Sequence, residues 1–256
     1  IDWAGPDPRR SVFMDIYAML ATEHMQKYGS TQQHFAQVAV KNSLHGSLNP
    51  RAQFNQVLTI EEVLGAREII NPLTLPMCSP LGDGAAAVVL VSERKAKQMA
   101  LRHPVKIIAS ALTTGLDHEK EGESLGVRAS QLAYNAAGIG PEDLSLVELH
   151  DASAPSEIMA YEYLGLCEKG AGAALLESGA TQLGGAIPVN TSGGLLRKGH
   201  PVGATGCAQI VEITEQLRGH AGARQVANAR FGLAHNAGGA IGRDAAVMAV
   251  TILAKG

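Results

Sequence analysis

Apolar residues recur at helical spacing in the first fifth of the chain. Over residues 11–28, Ile16, Met19, Leu20 and Met25 are the apolar positions of a predicted helix, and Gly29 ends it. Ser30 with Gln33 three residues on forms a capping-box pattern. It predicts a second helix that carries Phe35, Val38, Ala39 and Val40 toward Asn49 and Pro50. A third, short helix is expected over 59–70, before Pro72 and Pro76 break the chain. Gly82-Asp83-Gly84 reads as a turn, with Asp83 bonding its own backbone. The β-branched run 85–91 then predicts a buried strand. A helix over 92–101 and a strand over 105–111 follow, and the polar, glycine-punctuated stretch 113–126 reads as a linker. Beyond it the pattern predicts a helix over 127–137 closed by Gly138 and a strand over 144–149. A helix opened by residues 153–157 runs through Leu164, and a short strand covers 187–189. A helix from about Gly203 should turn Cys207, Ile210, Val211, Thr214 and Leu217 to the core. Strands are expected over 230–234 and 245–253, with a bend over 234–239 between them. Helices alternating with strands in this way indicate an α/β protein.

Composition narrows the class. The 256 residues are 46% hydrophobic and 18% charged, which suits a globular protein with a sizeable core. A net charge of −3 without a basic run argues against nucleic acid as a partner. No apolar run approaches the roughly 20 residues that a membrane-crossing helix needs. Cys78, Cys167 and Cys207 are odd in number and share no short spacing, so neither a disulfide framework nor a metal site is expected. A reducing, cytoplasmic setting follows as the default. The chain starts at Ile1 without a signal-peptide pattern, and this start reads as the middle of a longer protein.

The stretch with most chemical content is 190–207, NTSGGLLRKGHPVGATGC. Its glycines permit positive φ and close approach of a ligand to the main chain. Pro201 stiffens the bend on which His200 sits. The helix that follows points free N–H groups back at this loop. From the residues alone, a glycine-rich strand-to-helix connection with a surface histidine fits equally well. The predicted strand 144–149 delivers His150 and Asp151 to its C-terminal end, where sites of open α/β sheets lie. Asp151 and Glu157 are too isolated to argue for a carboxylate pair, and no dinucleotide, Walker, zinc-protease or nucleophile-elbow motif is present.

The run N-x-x-G-G-x-x-x-x-G-H-P-x-G-A-T-G resembles the GHP signature of the thiolase superfamily, apart from Arg197 where the family carries a small residue. His150-Asp151, the stretch YEYLGLC from Tyr161 and the stretch HNAGG from His235 are most similar to the sterol-carrier-protein-type thiolases. The resemblance covers most of the chain and is weakest in the first twenty-odd residues and around 113–126. It implies a layered α-β-α-β-α thiolase-like fold, incomplete at the N-terminus. Residues 1–72 would be the loop domain that covers the active site and helps hold coenzyme A. Residues 73–115 would end the N-terminal half, and 116–256 would form the C-terminal half. His24, His34, His45, Lys41 and Arg51 could meet a phosphate of coenzyme A in the cover, although ordinary surface roles suit them as well.

The resemblance also implies roles. His200 would activate a nucleophilic cysteine and bind an oxyanion, and that cysteine lies in the half that nothing here matches. Cys78 does not fit the nucleophile motif. His150 stands where ordinary thiolases have the asparagine of an oxyanion hole. His150, His200, His235 and Asn236 are the expected catalytic residues, and Gly199, Asp151, Gly238 and Ser192 the expected substrate-binding ones. The second acid/base, a cysteine in the family, would fall at Asn236 or at Ala152, and neither has a thiol. The implied activity is acyl transfer on a 3-ketoacyl-CoA, by thiolysis or Claisen condensation, in fatty-acid or sterol metabolism. Coenzyme A thioester is the substrate, and no cofactor is needed. A retro-aldolase on a steroid side-chain acyl-CoA, working with a small partner subunit, is the alternative, and a non-catalytic acyl-CoA-binding subunit is another. The family implies a homodimer or homotetramer.

Overall fold

A computed structural model describes residues 11–116, 124–241 and 245–256 of the chain. Helix α1, Val12–Tyr28, starts at Ser11, whose hydroxyl accepts the Phe13 N–H at 3.3 Å, and ends at Gly29 with φ of 75°. It buries Ala18, Ala21 and His24, so the larger apolar residues at 16, 19 and 20 lie half-buried beside that stripe. Helix α2, Gln32–Ser47, is capped by Thr31 and not by Ser30. The Thr31 hydroxyl accepts the His34 N–H, and the His34 ring accepts the Thr31 N–H. Its buried face carries Phe35 and Val38 but also Lys41, Asn42 and His45.

The predicted helix 59–70 is only one turn and a half long. Helix α3, Ile60–Leu64, stops at Gly65, and β1, Glu68–Ile70, then pairs antiparallel with β2, Leu73–Thr74. The predicted buried strand 85–91 is overturned as well. That segment joins no sheet among the described residues, and Val89 and Leu90 are 90% and 70% exposed. β-branched residues favour the extended backbone, but a strand also needs a neighbour's N–H and C=O groups, and no described strand supplies them.

Helix α4, Glu93–Gln98, leads to β3, Val105–Thr114, which reaches past the expected end into the predicted linker. Residues 117–123 lie outside the described residues. Then come α5, Leu125–Ala137; β4, Leu146–Glu148; α6, Ala154–Tyr163; and α7, Gly172–Glu177. The chain finishes with α8, Gly194–Arg197; α9, Thr205–Arg218; β5, Phe231–Gly238; and β6, Val247–Lys255. The main sheet has the order β3-β6-β5-β4. β4 and β5 run parallel, and the other pairs are antiparallel. Residues 187–189 form no strand; Val189 makes a single bridge to Val147.

Two corrections bear on the site. The expected bend 234–239 is mostly strand, because β6 goes on pairing as far as Gly238, with His235 opposite Val250 and Asn236 opposite Ala249. Side chains therefore alternate there, and His235 and Asn236 face opposite sides of the sheet. Helix α9 is also turned differently. It buries Thr205, Gln209, Glu212, Ile213, Gln216 and Leu217, while Cys207, Ile210, Val211 and Thr214 are only half-buried. Four of those six buried residues are polar, so this helix is held by hydrogen bonds as much as by apolar burial. The main core joins α2, α6 and the sheet through Phe35, Met77, Leu149, Ile158, Tyr161 and Val250. Leu146, Ile213, Leu217 and Leu253 form a second cluster between α9 and the sheet.

Candidate active site

Because β4 and β5 are parallel, their C-terminal ends open on the same edge of the sheet. β4 passes into His150, and the loop before α9 carries His200 to the same place. The two rings meet edge to face, with centroids 5.0 Å apart and planes at 83°. Both are partly exposed. His235 stands behind this pair and is fully buried. The backbone N–H of His150 donates to its Nδ1 at 3.3 Å. The ring proton of His235 therefore belongs on Nε2, which lies 3.3 Å from the Tyr163 hydroxyl.

All three histidines are held neutral. Burial, then repulsion from a protonated His150 ring, pushes His235 down to about 3. Burial, then His200, pushes His150 down to about 4. Burial and then Lys198 lower His200. Near neutral pH the site offers ring N–H groups and lone pairs rather than fixed positive charge.

Asp151 and Ser192, expected against substrate, lie fully buried beneath the histidines. Asp151 accepts the Leu195 N–H at 2.7 Å and the Leu196 N–H at 3.4 Å, which fixes the start of α8. Gly194 is required there, because a Cβ on it would overlap the Asp151 carboxylate. The Ser192 hydroxyl donates to Glu148 at 2.5 Å, and its N–H donates to the same carboxylate at 2.9 Å. Asp151 and Glu157, apart in sequence, do form a buried pair. The Asn42 amide donates to both, at 2.9 and 2.8 Å. Lys41 pairs with Glu157 at 2.8 Å, and the Tyr161 hydroxyl and the Asn190 amide also donate to it. Burial, then the Glu157 charge, pushes the Asp151 carboxyl well above its usual range. The histidine loop is thus seated on three carboxylates, Glu148, Asp151 and Glu157.

Asn236 faces α9. Its amide donates to the Gln209 carbonyl oxygen, and the Gln209 amide donates to the His235 carbonyl at 3.3 Å. Gly199 has φ of 107° on the buried side of the loop, and Gly238 is exposed at the end of β5. Arg197 is 7% exposed, stacks over Phe54 at 5.4 Å and donates to the Gln56 carbonyl. It ties the segment after α2 to the histidine loop. Thr205, Gln209 and Asn42 were not among the expected site residues, and Lys41 was expected only against a phosphate. The one available signal was their helical phase: Thr205, Gln209, Glu212 and Gln216 share one side of α9.

The groups considered for a phosphate in the cover are already engaged. His24 pairs with Glu162 at 2.9 Å and His34 with Glu177 at 2.9 Å. His45 bonds the Asn190 carbonyl and the Leu183 N–H, both at 3.0 Å, Lys41 holds Glu157, and Arg51 holds Glu215. Burial pushes the Cys78 thiol up to about 11, and burial with Glu162 pushes Cys167 up to about 12. Ala152 is 6% exposed. Among the described residues no cluster of three or more metal-ligating side chains occurs, and no helix is long and apolar enough to cross a membrane.

The family model described as thiolase C-terminal domain-like matches residues 121–253. Over 238 residues the chain is 44% identical to an acetyl-CoA acetyltransferase of Methanothermobacter thermautotrophicus, covering 91% of this chain and 62% of that protein. It is 42% identical over 243 residues to sterol carrier protein 2 of Bos taurus, covering 91% of this chain and 44% of that one. The chain therefore spans less than two thirds of the length of these relatives. A solved structure described as an Ltp2-ChsH2(DUF35) aldolase superposes with a TM-score of 0.81 at 25% identity, covering 94% of this chain and 63% of that one.

Proposed function

Because the chain belongs to the thiolase family through its C-terminal domain, we propose that it acts on a coenzyme A thioester as a thiolase-type acyltransferase. The bond made or broken is the carbon–carbon bond beside the thioester carbonyl. One observation carries this reading: His200 is held on a stiff, deeply anchored loop, edge to face with His150. Carbanion chemistry next to a thioester places negative charge on the carbonyl oxygen. A preorganised neutral N–H donor stabilises that charge as it develops. The fold supplies the preorganisation through Asp151 and Glu148 below the loop.

The proton-transfer half is different. Ala152 cannot move a proton, and the Asn236 amide, fixed by Gln209, is a very poor base. The raised thiols of Cys78 and Cys167 make poor thiolates. These features favour a second reading, retro-aldol cleavage of a 3-hydroxyacyl-CoA with a steroid-like side chain, together with a small partner subunit. There a base takes the hydroxyl proton, the Cα–Cβ bond breaks, and its electron pair becomes the thioester enolate, which is then protonated at Cα. No acyl-cysteine is needed. A symmetric oligomer in a reducing, cytoplasmic setting suits either reading.

The natural polypeptide, given acetoacetyl-CoA with free coenzyme A and separately a branched 3-hydroxyacyl-CoA, separates them. Acetyl-CoA from the first supports acyl transfer, and a released ketone or aldehyde from the second supports retro-aldol cleavage. Tight binding of both thioesters without turnover would leave only an acyl-CoA-binding subunit.

A further inference from the structure

A neutral imidazole carries one proton on one of two nitrogens, and the choice decides whether His200 presents a donor or a lone pair to a ligand. Its Nδ1 lies 2.8 Å from the hydroxyl oxygen of Thr205, the first residue of α9, which is 2% exposed. That hydroxyl has a single proton and two acceptors within reach. One is His200 Nδ1, and the other is the Pro201 carbonyl oxygen at 3.2 Å. The carbonyl already accepts the Ala204 N–H at 2.8 Å and the Thr205 N–H at 3.0 Å. A carbonyl oxygen has two lone pairs, and these two N–H groups use them. The hydroxyl proton then goes to the shorter, unfilled contact at Nδ1.

We propose that Thr205 is a positioning residue that locks His200 in the Nε2–H form, so that the ring meets the thioester oxygen as a hydrogen-bond donor. Other contacts leave this assignment in place. His150 touches the ring edge to face, and no described residue bonds its Nε2. Burial first, and then Lys198 two residues before, oppose a second proton on the ring. The reading of the ligand as a thioester rests on the function proposed above; the tautomer does not.

The test is ¹⁵N NMR of the histidine-labelled protein near neutral pH without substrate, with the His200 signals identified by their loss in His200→Gln. The expected spectrum has a pyridine-type Nδ1 and a pyrrole-type Nε2 for His200. Thr205→Ser should keep that pattern, and Thr205→Val should give a mixture of the two tautomers. A pyridine-type Nε2 in the unsubstituted protein overturns the proposal, as does a folded Thr205→Val protein with an unchanged pattern. If Thr205→Val does not fold, the unsubstituted protein and Thr205→Ser still decide. Because no substrate is present, a locked Nε2–H ring in a protein without turnover would count against the proposed function alone.

Discussion

A Cβ on Gly193 would lie 2.7 Å from the Cα of Gly46, so α2 and the histidine loop meet backbone to backbone. A Cβ on Gly46 would in turn fall 2.9 Å from Arg197 Cβ and 3.3 Å from the Phe54 carbonyl oxygen. Gly46→Ala should therefore overpack this contact and cost about 1–3 kcal/mol. Urea denaturation of the two proteins checks it, and an unchanged midpoint would show that the loop gives way freely.

Asp151→Ala removes the acceptor for the Leu195 and Leu196 N–H groups and for one bond of the Asn42 amide. Each buried donor left unsatisfied costs about 1–3 kcal/mol. The loss should be larger than that of Gly46→Ala. A smaller loss in the same denaturation measurement would mean that Asp151 is not the seat of α8.

His45 and His235 make stability depend on pH. The Nε2 of His45 accepts the Leu183 N–H, and Nδ1 of His235 accepts the His150 N–H, so a second ring proton would face a donor in each case. Burial first, and the charges of Lys41 and His150 respectively after it, lower both from 6.5 to about 3. Between those values the unfolded chain binds protons that the folded chain refuses. Stability should be fully present above pH 6.5 and fall as pH drops toward 3, by about 1.4 kcal/mol per unit for each histidine. Asp151, with its raised carboxyl, works against this trend, since the folded form keeps a proton that the unfolded form loses. His45→Gln should flatten the acid limb measured between pH 7 and pH 4. Parallel limbs for the two proteins would remove His45 from the account.

His200→Ala should leave folding intact, because a partly exposed loop side chain contributes little core. The rate should fall by about 10² to 10³, as is usual for one lost oxyanion donor. Equal turnover of a working acyl-CoA substrate by variant and parent would take His200 out of the site.

The absent thiols can be supplied. Ala152→Cys should raise exchange of the acetyl-CoA α-protons in deuterated buffer, while Cys78→Ser, Cys167→Ser and Cys207→Ser change it little. Rapid exchange by the unsubstituted protein would point to His150 as the base. His235 is a poorer candidate, because it is fully buried and its Nδ1 already accepts the His150 N–H.

The sequence shows the α/β class and the three stretches that carry His150, His200 and His235, because each follows a periodic run and is broken by glycine or proline. It does not show which side of α9 faces inward. Apolar periodicity selects Ile210 and Val211, whereas buried hydrogen bonds select Thr205, Gln209 and Gln216. Nor does it show that Asn42 joins Asp151 to Glu157, since that link spans more than a hundred residues. The run 85–91 misleads for a related reason: its β-branched composition favours a strand, but a strand needs a neighbour. Arg197, a departure from the family pattern, is legible only as an oddity until its stacking on Phe54 is seen.

The polar grip of α9 makes the connection before it a spacer of fixed count. One residue added to or removed from the turn between Pro201 and Ala204 would rotate the helix by about 100° relative to His200. Thr205 would leave the imidazole, Gln209 would leave Asn236, and Glu212 would leave Arg224 in a single step. Surface loops ordinarily tolerate both sequence changes and changes of length. Here the two part company: residues in this turn can be exchanged more freely than they can be inserted or deleted.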